Sequence, residues 1–119
     1  MTVVELYMVI FDSQKNDPDA TGHGWEGYYF GENGEHSWYQ ISRAIGEAMV
    51  ALGLSSEAEP TTFSTAELIK YFGSEKEGNY SGTNARCHAN RGRQLGWRPK
   101  HMTNDMLESI RVEVERSSK

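Results

Sequence analysis

The sequence predicts an α-rich chain of about five helices with one or two short strands, folded as a single domain over residues 1–119. Three observations lead there. Apolar residues recur at helical spacing in several stretches. Two of the predicted helices open on a serine capping box, Ser37 with Gln40 and Ser64 with Glu67. The clearest strand-like segment is a single aromatic run between glycines, Gly27-Tyr28-Tyr29-Phe30-Gly31. A length of 119 residues suits one domain, which at this size buries roughly 65% of its unfolded surface.

Val3, Leu6, Tyr7, Ile10 and Phe11 follow the i, i+3, i+4, i+7, i+8 template of the first helix, and Val4, Met8 and Val9 widen its apolar face. This helix begins at or near Met1 with no upstream cap other than Thr2, which reads as an internal start. Asn16-Asp17-Pro18-Asp19 stops it, because a proline disfavours helix at the residue before it. Residues 17–24 read as a loop. The strand at 27–31 follows, then a turn centred on Asn33-Gly34. Ser37 opens a helix over 38–52 with Ile41, Ala44, Ile45, Ala48, Met49 and Leu52 as its stripe and Gly53 just past its end. Residues 55–60 form a polar loop, and Thr61–Phe63 is a candidate for a second extended stretch. A short helix runs from Ser64 to about Tyr71, and 73–82 reads as loop. Thr83 or Asn84 caps a helix to Leu95, with Gly96 at its left-handed end, Trp97 packing down and Pro99 fixing the exit. Thr103 caps the last helix, Asp105 sits near its positive end, and Met106, Leu107, Ile110 and Val114 face inward.

Composition narrows the function classes. Net charge is −5, mean hydropathy is −0.68, and the longest apolar run, Leu6–Phe11, has six residues. That is far short of the roughly 20 needed to span a bilayer. There is no basic n-region or cleavage site at the N-terminus, and one cysteine, Cys87, precludes an internal disulfide. A soluble, cytoplasmic protein is expected, with no membrane partner. Charge is uneven: residues 1–69 hold two bases and eleven acids, residues 70–119 ten bases and six acids. The basic excess concentrates at Arg86, Arg91, Arg93, Arg98 and Lys100. A nucleic-acid binder is usually basic over the whole domain, so nucleic acid is not an expected partner.

Familiar catalytic patterns are missing from these residues. No G-x-G-x-x-G turn follows a strand, and there is no Tyr-x-x-x-Lys pair, P-loop, G-x-S-x-G elbow or H-E-x-x-H. Cys87 and His88 are adjacent, a poor metal-chelating geometry on a helix, so no metal is expected. Cys87 reads as a small buried hydrophobe rather than a nucleophile.

Two stretches are more specific. One is Glu26-Gly-Tyr-Tyr-Phe-Gly-Glu-Asn-Gly-Glu-His-Ser-Trp38 with the Ile45-Gly-Glu-Ala helix behind it. The other is Thr83-Asn-Ala-Arg-Cys-His-Ala-Asn-Arg-Gly-Arg-Gln-Leu-Gly-Trp-Arg-Pro-Lys100, followed by Asp105-Met-Leu-Glu-Ser-Ile. Together they resemble the C-terminal, substrate-lobe part of extended short-chain dehydrogenases/reductases of the NAD-dependent epimerase/dehydratase type, in a form common in fungi. The resemblance implies a fragment of an α/β fold with no complete Rossmann sheet. It also implies that the Gly-rich turn and the Ser/Tyr/Lys set lie outside these residues, so no cofactor is expected on this chain. If the lobe is an enzyme, the resemblance implies isomerase- or cyclase-like chemistry in specialised metabolism rather than hydride transfer.

Candidate site residues follow from both readings. Glu32, Glu35 and His36 sit in the loop after the aromatic run, where a carboxylate–histidine pair, with Glu35 and His36 the catalytic candidates, would shuttle a proton; the alternative is a turn whose polar groups cap the next helix. Tyr28, Tyr29 and Phe30 alternate across the strand, so one tyrosine, with Tyr29 the catalytic candidate, lines a pocket or packs in the core. Trp38, with Trp25, would wall an apolar ligand or anchor the loop. The resemblance places Arg86 and Arg91 where nucleotide-sugar members bring an arginine to a substrate phosphate; pairing with surface acids is the other reading. Val3, Val4, Tyr7 and Tyr28 are expected on exposed apolar surface, which calls for a second copy or a partner carrying a Rossmann sheet. Three roles remain open: a cofactor-independent module for a small metabolite, an interaction subunit completing a separate dehydrogenase half, and a truncated portion of a full-length reductase.

Overall fold

The computed structural model describes residues Thr2–Lys119, with side chains from Val3 onward. Met1, the expected start of the first helix, lies outside the described residues. Six α-helices follow in order: α1 (Thr2–Asn16), α2 (Trp38–Ala51), α3 (Thr65–Phe72), α4 (Glu75–Tyr80), α5 (Asn90–Gln94) and α6 (Thr103–Ser117). Short 3-10 turns occupy Pro18–Ala20 and Gly24–Gly27. The chain divides into two compact units, residues 1–35 with 86–105 and residues 36–85 with 106–119. No described helix is long and apolar enough to cross a membrane.

The first unit is built on α1. Its stripe buries Leu6 and half-buries Val9 and Ile10, and Leu6 joins Ala89 and Trp97 in one small core. Trp97 is 1% exposed. Gly92 of α5 makes this packing fit: a Cβ there would lie 2.9 Å from Leu6 Cδ1 and 3.4 Å from the Trp97 ring. Gly96 takes φ +101°, a left-handed conformation that glycine adopts without penalty, and turns the chain after α5 so that Trp97 points inward as the sequence expects.

In the second unit, both serine capping boxes form. The Ser37 and Ser64 side chains accept from the backbone N–H of Gln40 and Glu67, whose side chains reach back to the cap N–H groups. Ala48 is the buried centre of α2, and Gly46 lets the backbone of Ala58 sit directly on that helix. On α6, Met106, Leu107, Ile110 and Val114 are the half-buried positions of this unit, matching the expected stripe. The α3–α4 pair closes through Gly78, where a Cβ would meet Leu68 Cδ2 at 2.6 Å.

Several expectations are corrected. No strand exists among the described residues: both 27–31 and 61–63 lack a ladder. A strand needs a neighbouring chain segment that pairs with its backbone, and no such pairing forms at either stretch among the described residues. The loop expected over 73–82 contains α4, which Ser74 caps by accepting from Glu77 N–H. The long helix expected from 83 or 84 shrinks to α5. Its first half stays irregular because Ala89 N–H is given to the Glu32 carboxylate rather than to a helical carbonyl. Thr103 is the first helical residue of α6 rather than its cap; its hydroxyl donates to Glu35 C=O, while Asp105 accepts Met102 N–H at the helix start. Cys87 is exposed, not buried.

Candidate functional site

The densest polar arrangement lies in the first unit, where residues 21–35 are fastened to residues 86–103. Two glycines shape the outer part. A Cβ on Gly22 would collide with Glu26 C=O at 2.3 Å, and one on Gly27 would lie 3.2 Å from Gly22 C=O, so the loop closes tightly on itself. Tyr29 seals it, its hydroxyl accepting Gly22 N–H at 3.1 Å. Thr21, the buried polar residue at the loop's base, donates to Ser13 on α1.

Arginines hold this loop from the other side. Arg91 Nη1 donates to both Trp25 C=O and Tyr28 C=O at 3.1 Å, and its Nη2 lies 3.9 Å from Glu26. Arg93 bonds the Glu32 carboxylate, the Glu32 carbonyl and Asn33 Oδ1, all at 3.1–3.2 Å, with its guanidinium 5.7 Å from the Trp97 ring centre. Arg86 grips Glu35 through Nε and Nη2 at 2.8–3.1 Å. Asn33 completes the seam by donating to His101 C=O at 2.6 Å. Glu32 is the most constrained carboxylate: the Gly34 and Ala89 N–H groups and Arg93 hold its pKa below the ordinary range. Each of these bonds favours the ionised form.

The sequence candidates therefore separate. Arg86 and Arg91 take the pairing role; both guanidinium groups are occupied, by a carboxylate and by backbone carbonyls. Glu35, offered as half of a proton shuttle, has its carboxylate on Arg86. His36 is exposed, belongs to the second unit, and has no hydrogen bond or ion pair among the described residues. Tyr29 is half-buried with its hydroxyl engaged. Tyr28 is exposed and lies 6.2 Å from Trp25, which is 88% exposed. Trp38 belongs to the second unit and donates from Nε1 to Ser81 C=O at 2.6 Å. The sequence placed Arg93 in the basic concentration, Glu32 in the loop after the aromatic run and Asn33 in its turn, but gave no sign that the three meet. Their partners lie 60–61 residues apart, and no local pattern signals a contact at that range.

Two open grooves lie in the second unit, one of about 570 Å³ lined by Tyr39, Arg43, Ala48, Leu107 and Arg111, the other of about 620 Å³ lined by Ile45, Met49, Leu54, Ile110 and Val114. None of the seven candidate residues lines either. Among the described residues no group of three or more His, Cys, Asp or Glu side chains converges as a metal site would require.

The chain is similar to an oxidase. It is 37% identical over 89 residues to the Acremonium sp protein named "Oxidase ucsJ". That alignment takes in 74% of this chain and 25% of the oxidase, so the chain spans about a quarter of that relative's length. No family model matches the sequence. No solved structure matches it.

Proposed function

We propose that these residues are the substrate-side lobe of an oxidoreductase of the NAD-dependent epimerase/dehydratase type, working only when joined to the dinucleotide-binding part. The observation that carries this reading is the match to a quarter of an oxidase. A segment embedded in a chain about four times its matched length is a part by origin. The residues present do not suit the dinucleotide themselves: the G-x-G-x-x-G spacing at Gly22–Gly27 follows a 3-10 turn rather than a strand and opens no α-helix, and the first unit's arginines are spent on its own carbonyls and carboxylates. The exposed apolar side chains Val3, Val4 and Tyr7 on α1 support the same conclusion, since a joined part would cover them. The substrate is then a small specialised metabolite, and the lobe's share of the work is to shape and close its site.

A free-standing, cofactor-independent module that aids a cyclisation or isomerisation draws less support. It relied on Arg86, which is held by Glu35, and on a Glu35–His36 pair whose carboxylate is engaged elsewhere.

The test is the mass and activity of the native protein purified from the cells that make it. The reading expects a species well above 13.4 kDa, covalently longer or in complex, that turns over a nicotinamide cofactor with a small-molecule substrate. The 119-residue chain alone should do neither. A native species of 13.4 kDa that binds a metabolite by itself overturns it.

A further inference from the structure

We propose that Asn33-Gly34 is a self-modification site, sealed while residues 21–35 stay fastened to residues 86–103 and converted to aspartyl and isoaspartyl forms once that seam opens. The only co-reactant is water. Gly34 N gives up its proton and attacks Asn33 Cγ; the Cγ–Nδ2 bond breaks and ammonia leaves, closing a cyclic imide. Water then opens the imide at either carbonyl. The product is aspartate or an isoaspartyl link, which routes the backbone through Asn33 Cγ. Asn-Gly favours this attack, because glycine places no Cβ beside the attacking nitrogen.

The fold itself imposes this dipeptide. Gly34 has φ +121°, and a Cβ there would lie 2.5 Å from Thr103 Oγ1. Thr103 is fixed in turn by donating to Glu35 C=O. A larger residue at 34 is therefore strained and crowded. At position 33 an amide side chain serves because it offers a donor and an acceptor at once. Asn33 Nδ2 donates to His101 C=O at 2.6 Å, and its Oδ1 accepts from Arg93 at 3.1 Å. Those same bonds block the chemistry. Held at both ends, the half-buried Asn33 amide does not turn back onto its own backbone. Gly34 N–H is occupied by Glu32 Oε1 at 2.9 Å, and the negative charge there opposes loss of the amide proton. Opening the seam releases all three bonds together. The products do not restore it. An isoaspartyl link displaces Gly34 from Thr103, and either product sets an acceptor against His101 C=O where Nδ2 donated. Conversion is a one-way record that the first unit has come apart.

Peptide mapping by mass spectrometry, with isoaspartyl methyltransferase to count the isoaspartyl product, tests this on the native protein purified from its own cells. Asn33 should convert about a hundredfold more slowly in the folded protein than in urea at the same pH. Arg93→Met, made in the same protein and checked for folding by circular dichroism, removes one anchor. It should speed conversion about tenfold at urea concentrations below the unfolding transition. Protein carrying the isoaspartyl link should unfold at lower urea than unconverted protein. Equal rates in folded and urea-unfolded protein overturn the seal, whether or not the variant folds. An unchanged rate in folded Arg93→Met overturns the seam as its cause, and an unchanged urea midpoint after conversion overturns the one-way consequence.

Discussion

Glu32 carries more of the first unit than its position in a turn suggests. Its carboxylate accepts from two backbone N–H groups and from Arg93, and it is 19% exposed. Removing it leaves the Gly34 and Ala89 N–H groups without their acceptor and takes one of three acceptors from Arg93, so Glu32→Ala should cost about 2 kcal/mol by urea unfolding. The pH dependence has a definite sign. The folded-state pKa lies below the ordinary glutamate value of about 4.3. The stability it contributes is therefore complete above that value and drains away as pH falls through the lowered one. Urea midpoints should decline from about pH 5 downward, and Glu32→Gln should flatten the decline; an unchanged slope in that variant removes Glu32 as its cause. Asp105, lowered by Met102 N–H and then by His101, acts in the same direction. The sequence suggested acid pairing for Arg86, and the residues show it. It did not suggest Arg93. Its acceptors sit about sixty positions away, and sequence patterns carry information only across a helix turn or a strand pair.

Individual elements were legible where their signals were local. Both capping boxes, the stripe of α2, the inward face of α6 and the turn at Gly96 could be read because each is set by residues within a few positions. Ser37→Ala and Ser64→Ala should each cost about 1 kcal/mol, read as a fall in thermal midpoint. Elements set by distant partners were misread. The segment 75–80 has no apolar period, and it becomes helical because Ser74 caps it and Gly78 fits against Leu68 and Phe72. The helix expected ahead of α5 loses an N–H to Glu32, and the aromatic run has no strand beside it. Gly46 inverts the usual expectation for a helical glycine. Alanine there would ordinarily stabilise by roughly 1 kcal/mol. Here its Cβ would meet Ala58 C=O at 2.3 Å, so Gly46→Ala should destabilise by about 1–3 kcal/mol in the same assay. A gain in stability would show that the 52–60 segment yields easily.

Across the whole molecule, the described residues bury few large side chains and expose many. On α1, Tyr7 is 71% and Phe11 63% exposed, while the same helix buries Leu6. The double variant Tyr7→Ser with Phe11→Ser should leave the thermal midpoint nearly unchanged, because exposed sites contribute little to folding. It should also reduce concentration-dependent association of the free chain in sedimentation velocity; undiminished association would place the contact elsewhere. The noncontiguous make-up of the units has a consequence during synthesis. Residues 1–35 need residues 86–105, and residues 36–85 share a unit with 106–119. A ribosome that has released α1 and the loop behind it has produced no partner for Leu6, because Ala89 and Trp97 are still to be polymerised. Contacts wholly inside residues 36–85, such as the α3–α4 pair or Ala58 on α2, can settle early. At roughly 5–20 residues per second the nascent apolar helix waits several seconds for its core. Throughout that interval the emerging chain is a substrate for whatever chaperone binds exposed Val3, Tyr7 and Phe11.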